Sequence, residues 1–170
     1  LATELQGTWR WLAPGKHLIP RGVAGTRDSC EIFGARQPFV RGDEIWIYYV
    51  GGDGPFHGYR TNQLMLAKVQ RDGFAGYRAS SSSAVVLTQN VTVTGGTLLV
   101  SADARGGSVS AGVINGGAVS MSAPITGKQF VDEPLRFESG ANLTGLIGDS
   151  VCLNITVTGD AVAFAFAFST

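Results

Sequence analysis

Near its end the chain reads Ala161-Val162-Ala163-Phe164-Ala165-Phe166-Ala167-Phe168, a strict alternation of small and large apolar side chains. A helix cannot use this pattern, because at 3.6 residues per turn the large rings would spread around its axis. A strand points successive side chains to opposite faces. The segment is therefore a strand, with Val162, Phe164, Phe166 and Phe168 expected together on one buried face and the alanines on the other. A strand of this kind needs a sheet beside it and a second layer against it.

The residues upstream supply candidates for both. Short β-rich runs are expected as strands at residues 85–94, 97–102, 108–114, 118–122, 135–137, 151–158 and 161–168. Gly95-Gly96 and Gly116-Gly117 read as hairpin turns, since no phosphate-binding Lys-Ser/Thr or helix follows them. Seven short strands joined by such turns predict a β-sandwich or jelly roll. The composition agrees: 24 glycines, with many Val, Thr and Ser, oppose helices and favour strands and tight turns. The fold class is all-β.

The first part of the chain is different. Residues 1–77 hold all three Trp, all four Tyr and both His, while the aromatics beyond residue 84 are all Phe. The run Ala79-Ser80-Ser81-Ser82-Ser83 lies at this change and reads as a junction. The expected division is 1–78, a linker at 79–84, and 85–170. Within the first part, 32–40 and 44–50 are strand-like around a turn at Arg41-Gly42-Asp43, and 63–70 is a third strand. Between the second and third strands, Gly51 to Gly58 is too glycine-rich to be anything but a loop, and Arg71-Asp72-Gly73 is the next turn. Three or four antiparallel strands in this order make one propeller blade or a small meander, and one blade alone leaves its sheet unburied.

Charge narrows the partners. Lys plus Arg equals Asp plus Glu, 13 each, so no basic field exists to hold nucleic acid or an anionic membrane; neutral carbohydrate and protein are favoured. The apolar run 161–168 is far too short to span a bilayer. No cofactor motif occurs, and Asp103, Asp132, Glu133, Asp149 and Asp160 lack the dense spacing of a calcium loop. Three Asn-x-Thr acceptor sites, at Asn90, Asn142 and Asn154, point to a secreted, N-glycosylated protein; an ordinary Thr-rich β surface is the alternative. In an oxidising compartment Cys30 and Cys152 could pair, or each could be a buried thiol. The start at Leu1, without an initiator Met, suggests a processed chain or a fragment.

Several segments in order carry a family resemblance: Trp9-Arg10-Trp11-Leu12-Ala13-Pro14-Gly15, Ile19-Pro20-Arg21-Gly22, Asp28-Ser29-Cys30, Gly42-Asp43-Glu44-Ile45-Trp46-Ile47-Tyr48-Tyr49, the 51–58 loop and Arg71-Asp72-Gly73-Phe74. The segments at 98–106 and 159–166 continue the series. Together they resemble the C-terminal portion of proteins related to glycoside hydrolase family 32, the invertase-like group. That group carries a five-bladed β-propeller followed by a β-sandwich. The resemblance implies a partial β-propeller blade followed by a jelly-roll-like β-sandwich. It departs from the family in lacking Trp-x-Asn-Asp-Pro and Arg-Asp-Pro, and its Cys30-Glu31 reverses the family's Glu-Cys order. A two-carboxylate glycosidase needs both carboxyls across one cleft, so the chain by itself is expected to be catalytically silent.

If the first part is a blade, the loops at 21–30 and 51–62 would rim the propeller funnel, and Arg27, Asp28, Asp53 and His57 would face a sugar. The plainer readings are a turn cap for Asp28 and an Asp-Gly turn for Asp53. Trp46, Tyr48 and Tyr49 could stack on sugars or pack against a neighbouring blade; alternation sets Trp46 and Tyr48 on one face with Glu44, and Tyr49 on the other with Ile45 and Ile47. Trp9 and Trp11 share a face in the same way. Asp43 and Glu44 read as a solvated turn. Two functions follow. One is a structural or carbohydrate-associated module of an extracellular assembly, its partners other chains or the missing blades. The other is the C-terminal portion of an active fructosidase-like hydrolase whose catalytic blades lie on another part of the polypeptide.

Overall fold

The computed structural model describes residues 14–137 and 142–170. They are all-β, with fourteen strands and one short 3-10 turn at Thr144–Leu146, and divide into two compact units at Val69/Gln70. Trp9 and Trp11 lie outside the described residues. No helix among the described residues is long and apolar enough to cross a membrane.

The first unit is one antiparallel sheet built on β3 (Glu44–Gly52). β1 (Glu31–Gly34) pairs with its last four residues and β2 (Phe39–Arg41) with its first three, while β4 (Asn62–Gln70) also pairs with β3. The sequence led us to expect one strand over 32–40; two short ones form, and Pro38, which has no N–H to give a ladder, stands just before the second. Arg41 faces Glu44 across a two-residue turn, and Gly42 takes a φ of 60° that glycine supplies without steric cost.

The second unit has two antiparallel sheets. In one, β9 (Gly107–Asn115) pairs with β13 (Ser150–Gly159) from Ile114/Cys152 to Gly107/Gly159. β10 (Ala118–Met121) and β11 (Ile125–Thr126) extend it beside β9, and β6 (Ser83–Leu87) and β7 (Val91–Thr92) beside β13. The other runs β12 (Gln129–Pro134), β8 (Thr97–Asp103), β14 (Val162–Ser169) and β5 (Tyr77–Arg78). Alternate residues point inward: Val151, Leu153, Ile155 and Val157 of β13 and Val109, Ala111 and Val113 of β9 from one sheet, Leu98, Val100 and Ala102 of β8 from the other. These side chains form one buried cluster. Each large aliphatic side chain removed from water here contributes about 1.5–3 kcal/mol.

Three expectations need correction. The unit boundary precedes the serine run, because Gln70 Nε2 donates to the carbonyls of Ala102 and Phe130 and β5 pairs with β14. Residues 79–82 are therefore a connection between β5 and β6 inside the second unit rather than a linker between units. The strand expected at 135–137 lies earlier, as β12; Leu135 instead donates to Leu98, and Phe137 makes a lone bridge to Ser122.

The third concerns the alternating segment. Ala163 faces Ala102, but the next partnered pair is Ala165 with Ser101, so β14 carries a bulge at Phe164. The bulge reverses the parity. Before it, Ala161 and Ala163 are buried in the core; after it, Phe166 and Phe168 lie opposite the core residues Val100 and Leu98, while Ala165 turns outward beside Ser101. The four large side chains therefore do not share one buried face. Phe168 packs on the core, Phe164 is half-buried, and Phe166 stays 39% exposed, since β5 covers only Val162 and Ala163 on that edge.

Candidate functional site

The 21–30 loop runs into β1 and the 53–61 loop leaves β3 at the same end of their pairing; Gly51 and Gly52, expected in the loop, are instead the last paired residues of β3, facing Ile32 and Glu31. Asp28 sits between Thr26 and Tyr49: Thr26 Oγ1 donates to Oδ1 at 2.9 Å, and the Tyr49 hydroxyl donates to Oδ2 at 2.9 Å. Asp28 is only 9% exposed. Two glycines permit this. A Cβ on Gly22 would stand 2.2 Å from Asp28 Oδ1, and one on Gly51 2.6 Å from Asp28 Cβ. The hydroxyl of Tyr49, and then that of Thr26, holds the Asp28 carboxyl below its ordinary range. Burial, and then the neighbouring carboxylate, pushes the Tyr49 phenol upward. Asp28 is thus turned inward to hold its loop on β3, and it does not face outward as a ligand group would.

Asp53 does reach the surface. Its Oδ1 accepts from the Thr61 N–H at 2.6 Å and its Oδ2 from Arg27 Nη1 at 2.9 Å. The Thr61 amide first, and Arg27 after it, keep this carboxyl below its usual range. Arg27 and Asp53, two of the four expected residues, are thereby brought into direct contact. His57 lies on the same loop, its ring edge-on to Phe56 at 5.0 Å, and it makes no hydrogen bond among the described residues.

One member of this surface was missed by sequence reasoning. Arg60 donates to Glu31 Oε2 at 2.9 Å and to the Phe56 carbonyl, and its guanidinium lies 5.0 Å from the Phe56 ring and 5.8 Å from Phe33. No local pattern marks it, because its partners come from β1 and from the far side of a glycine-rich loop. The exposed Phe33, Phe56 and Tyr59 complete an aromatic and arginine-bearing rim beside the Arg27–Asp53 pair.

Trp46 is less available than its sequence position suggested. Arg41 and Lys68 each lie over its ring, 4.5 and 4.4 Å from the centroid, and its Nε1–H donates to Glu44 at 2.8 Å. That hydrogen bond, with Lys68 behind it, holds the Glu44 carboxyl low. Tyr49 and Ile45 share the buried side of β3, as alternation placed them.

Cys30 and Cys152 belong to different units and each is a half-buried free thiol; the Cys152 Sγ–H donates to the Thr88 carbonyl at 3.0 Å. Of the acceptor asparagines, Asn90 and Asn142 are exposed outside the strands, whereas Asn154 lies mid-strand on β13 between Leu87 and Gly112. No three His, Cys, Asp or Glu side chains gather into a metal-sized group among the described residues. Compared with protein-family models, with curated proteins and with solved structures, the chain finds no match.

Proposed function

We propose that the chain is a catalytically silent, carbohydrate-associated building module of a secreted glycoside-hydrolase-like glycoprotein, its first unit being a propeller sector completed by further β-structure and its second a sandwich. One observation carries the reading. Among the described residues before Gln70 the large apolar side chains that are buried are Ile45 and Tyr49, while Phe39 is 57% and Leu64 68% exposed, and Phe33, Val40 and Leu66 are exposed as well. A sheet this bare needs neighbours to cover it.

The carboxylates support catalytic silence. A glycosidase general acid must keep its proton near neutral pH, and both candidate carboxyls, Asp28 and Asp53, are held in the opposite direction. The rim of Arg27, Asp53, Phe56, His57 and Arg60 offers donors, an acceptor and ring faces, which is the chemistry a sugar surface asks for.

Hydrogen exchange with sedimentation tests the reading. For residues 1–170 alone we expect weak amide protection in β1 to β4, strong protection in β8, β9 and β13, and self-association or dye binding through bare apolar surface. A monomer that binds no hydrophobic dye, with equal protection in both units, would overturn it.

A further inference from the structure

A second polar cleft lies wholly within the second unit, on the outer face of the β12–β8–β14 sheet. It has a volume of about 300 Å³ and is walled by Arg71, Asp72, Ser101 and Asp132, with Ala165 and Ala167 of β14 beneath. The alanines leave the space: beyond the Phe164 bulge the small residues of the alternating strand turn outward.

Its polar groups are held in place from below. Ser101, 1% exposed, donates through Oγ to Asp72 Oδ2 at 3.0 Å and accepts the Asp132 N–H at 3.1 Å. Asp72 and Asp132 are the two non-glycine residues with positive φ among those described, at 68° and 51°. One buried hydroxyl thus fixes two aspartates whose backbones are both in the left-handed region. Arg71 Nη2 donates to Asp132 Oδ2, while its Nε–H is buried and has no acceptor among the described residues, so the guanidinium meets the cleft through its Nη groups. Arg71 and Asp132 keep about a third to a half of their side-chain surface open.

We propose that this cleft binds a single neutral sugar ring, with the carboxylates of Asp72 and Asp132 accepting hydroxyl protons, the Arg71 guanidinium donating to ring or hydroxyl oxygens, and the ring resting on Ala165 and Ala167. Two carboxylates against one guanidinium repel anions. A space of this size is at the small end of ligand pockets and suits one hexose. The proposal goes beyond the module reading above and does not depend on it, since none of its residues belongs to the first unit's rim.

The test is a proton–nitrogen NMR titration of the full chain with D-glucose, D-fructose, D-galactose and N-acetylglucosamine, each to about 50 mM, above the millimolar affinities that so few contacts support. At least one sugar should shift the Arg71 Nε–H and the Ser101 and Asp132 amides. Shifts at Asp53, His57 or Arg60 would instead report on the first unit's rim, so the two sites are read separately. Asp132→Gly suits the positive φ and should keep the fold while weakening binding at least about tenfold; Arg71→Lys, which keeps the charge and loses the fork, should do the same. The proposal is overturned if no sugar moves the three cleft signals, if Asp132→Gly leaves the shifts unchanged, or if calcium alone moves them at lower concentration than any sugar.

Discussion

The Tyr49 hydroxyl and the Asp28 carboxylate meet at 2.9 Å across 21 positions of sequence, and this bond ties the 21–30 loop to the central strand of the first unit. The bond lowers the Asp28 pKa, and burial, with the bond second, raises that of Tyr49. The two shifts have opposite linkage. Asp28 contributes stability above its ordinary value of 3.8 and loses it as pH falls through the lowered folded value. Tyr49 contributes below its ordinary 10.0 and loses it as pH rises through the raised one.

Tyr49→Phe should therefore lower the urea midpoint most between those limits and flatten the fall at both ends. Fluorescence-detected melts at intervals from acid to alkali check it. Wild-type and variant curves of identical shape, merely displaced, would contradict the assignment.

Gly51→Ala sets a methyl against Asp28 Cβ at 2.6 Å, Met65 Sδ at 2.8 Å and the Arg27 carbonyl at 3.0 Å. We expect a loss of about 1–3 kcal/mol, typical of overpacking. Gly34→Ala, with no atom within 4 Å of the new methyl and no positive φ, should be neutral or stabilising by up to about 1 kcal/mol. Equal midpoints for the two variants would show that Gly51 is not a close-approach position.

Leu153, fully buried in β13, should cost about 2–5 kcal/mol when cut to alanine. In β14, Phe168→Ala should cost more than Phe166→Ala, because Phe168 packs on the core whereas Phe166 is partly in solvent. Thermal melts by circular dichroism rank them. The reverse order for the phenylalanines would place the bulge elsewhere.

Expression through a eukaryotic secretory pathway should add glycan at Asn90 and Asn142, whose side chains are exposed outside the strands, and leave Asn154, held between two neighbouring strands, unmodified. Intact-mass spectra of Asn90→Gln, Asn142→Gln and Asn154→Gln report this site by site. Bare asparagines at all three would remove the extracellular reading.

Much of the fold was legible because it is local. Period-two alternation puts Ile45 and Tyr49 on one side of β3, short β-rich runs between turns mark β8, β9 and β13, and Gly42 marks the hairpin turn. The break before β2 had a local cue in Pro38 that the apolar run around it hid. The bulge at Phe164 had no cue at all: the written alternation continues unbroken through it, and the parity changes because β8 offers one residue where β14 offers two.

The candidate site divides the same way. Residue types at Arg27, Asp28, Asp53 and His57 marked out two loops as worth attention, but nothing in them told that Asp28 turns inward to Tyr49 while Asp53 reaches Arg27, or that Arg60 joins Glu31. By itself, then, the amino-acid sequence determined the β character, the parity of an unbroken strand such as β3 and the hairpin turns at Gly42 and Gly116-Gly117, since these depend on neighbours along the chain; Gly95-Gly96, expected as a hairpin turn, instead joins β7 and β8, which pair in different sheets. Tertiary structure decided which parity meets the core and which carboxylates are already occupied, because both are set by partners that become neighbours only when distant strands pair.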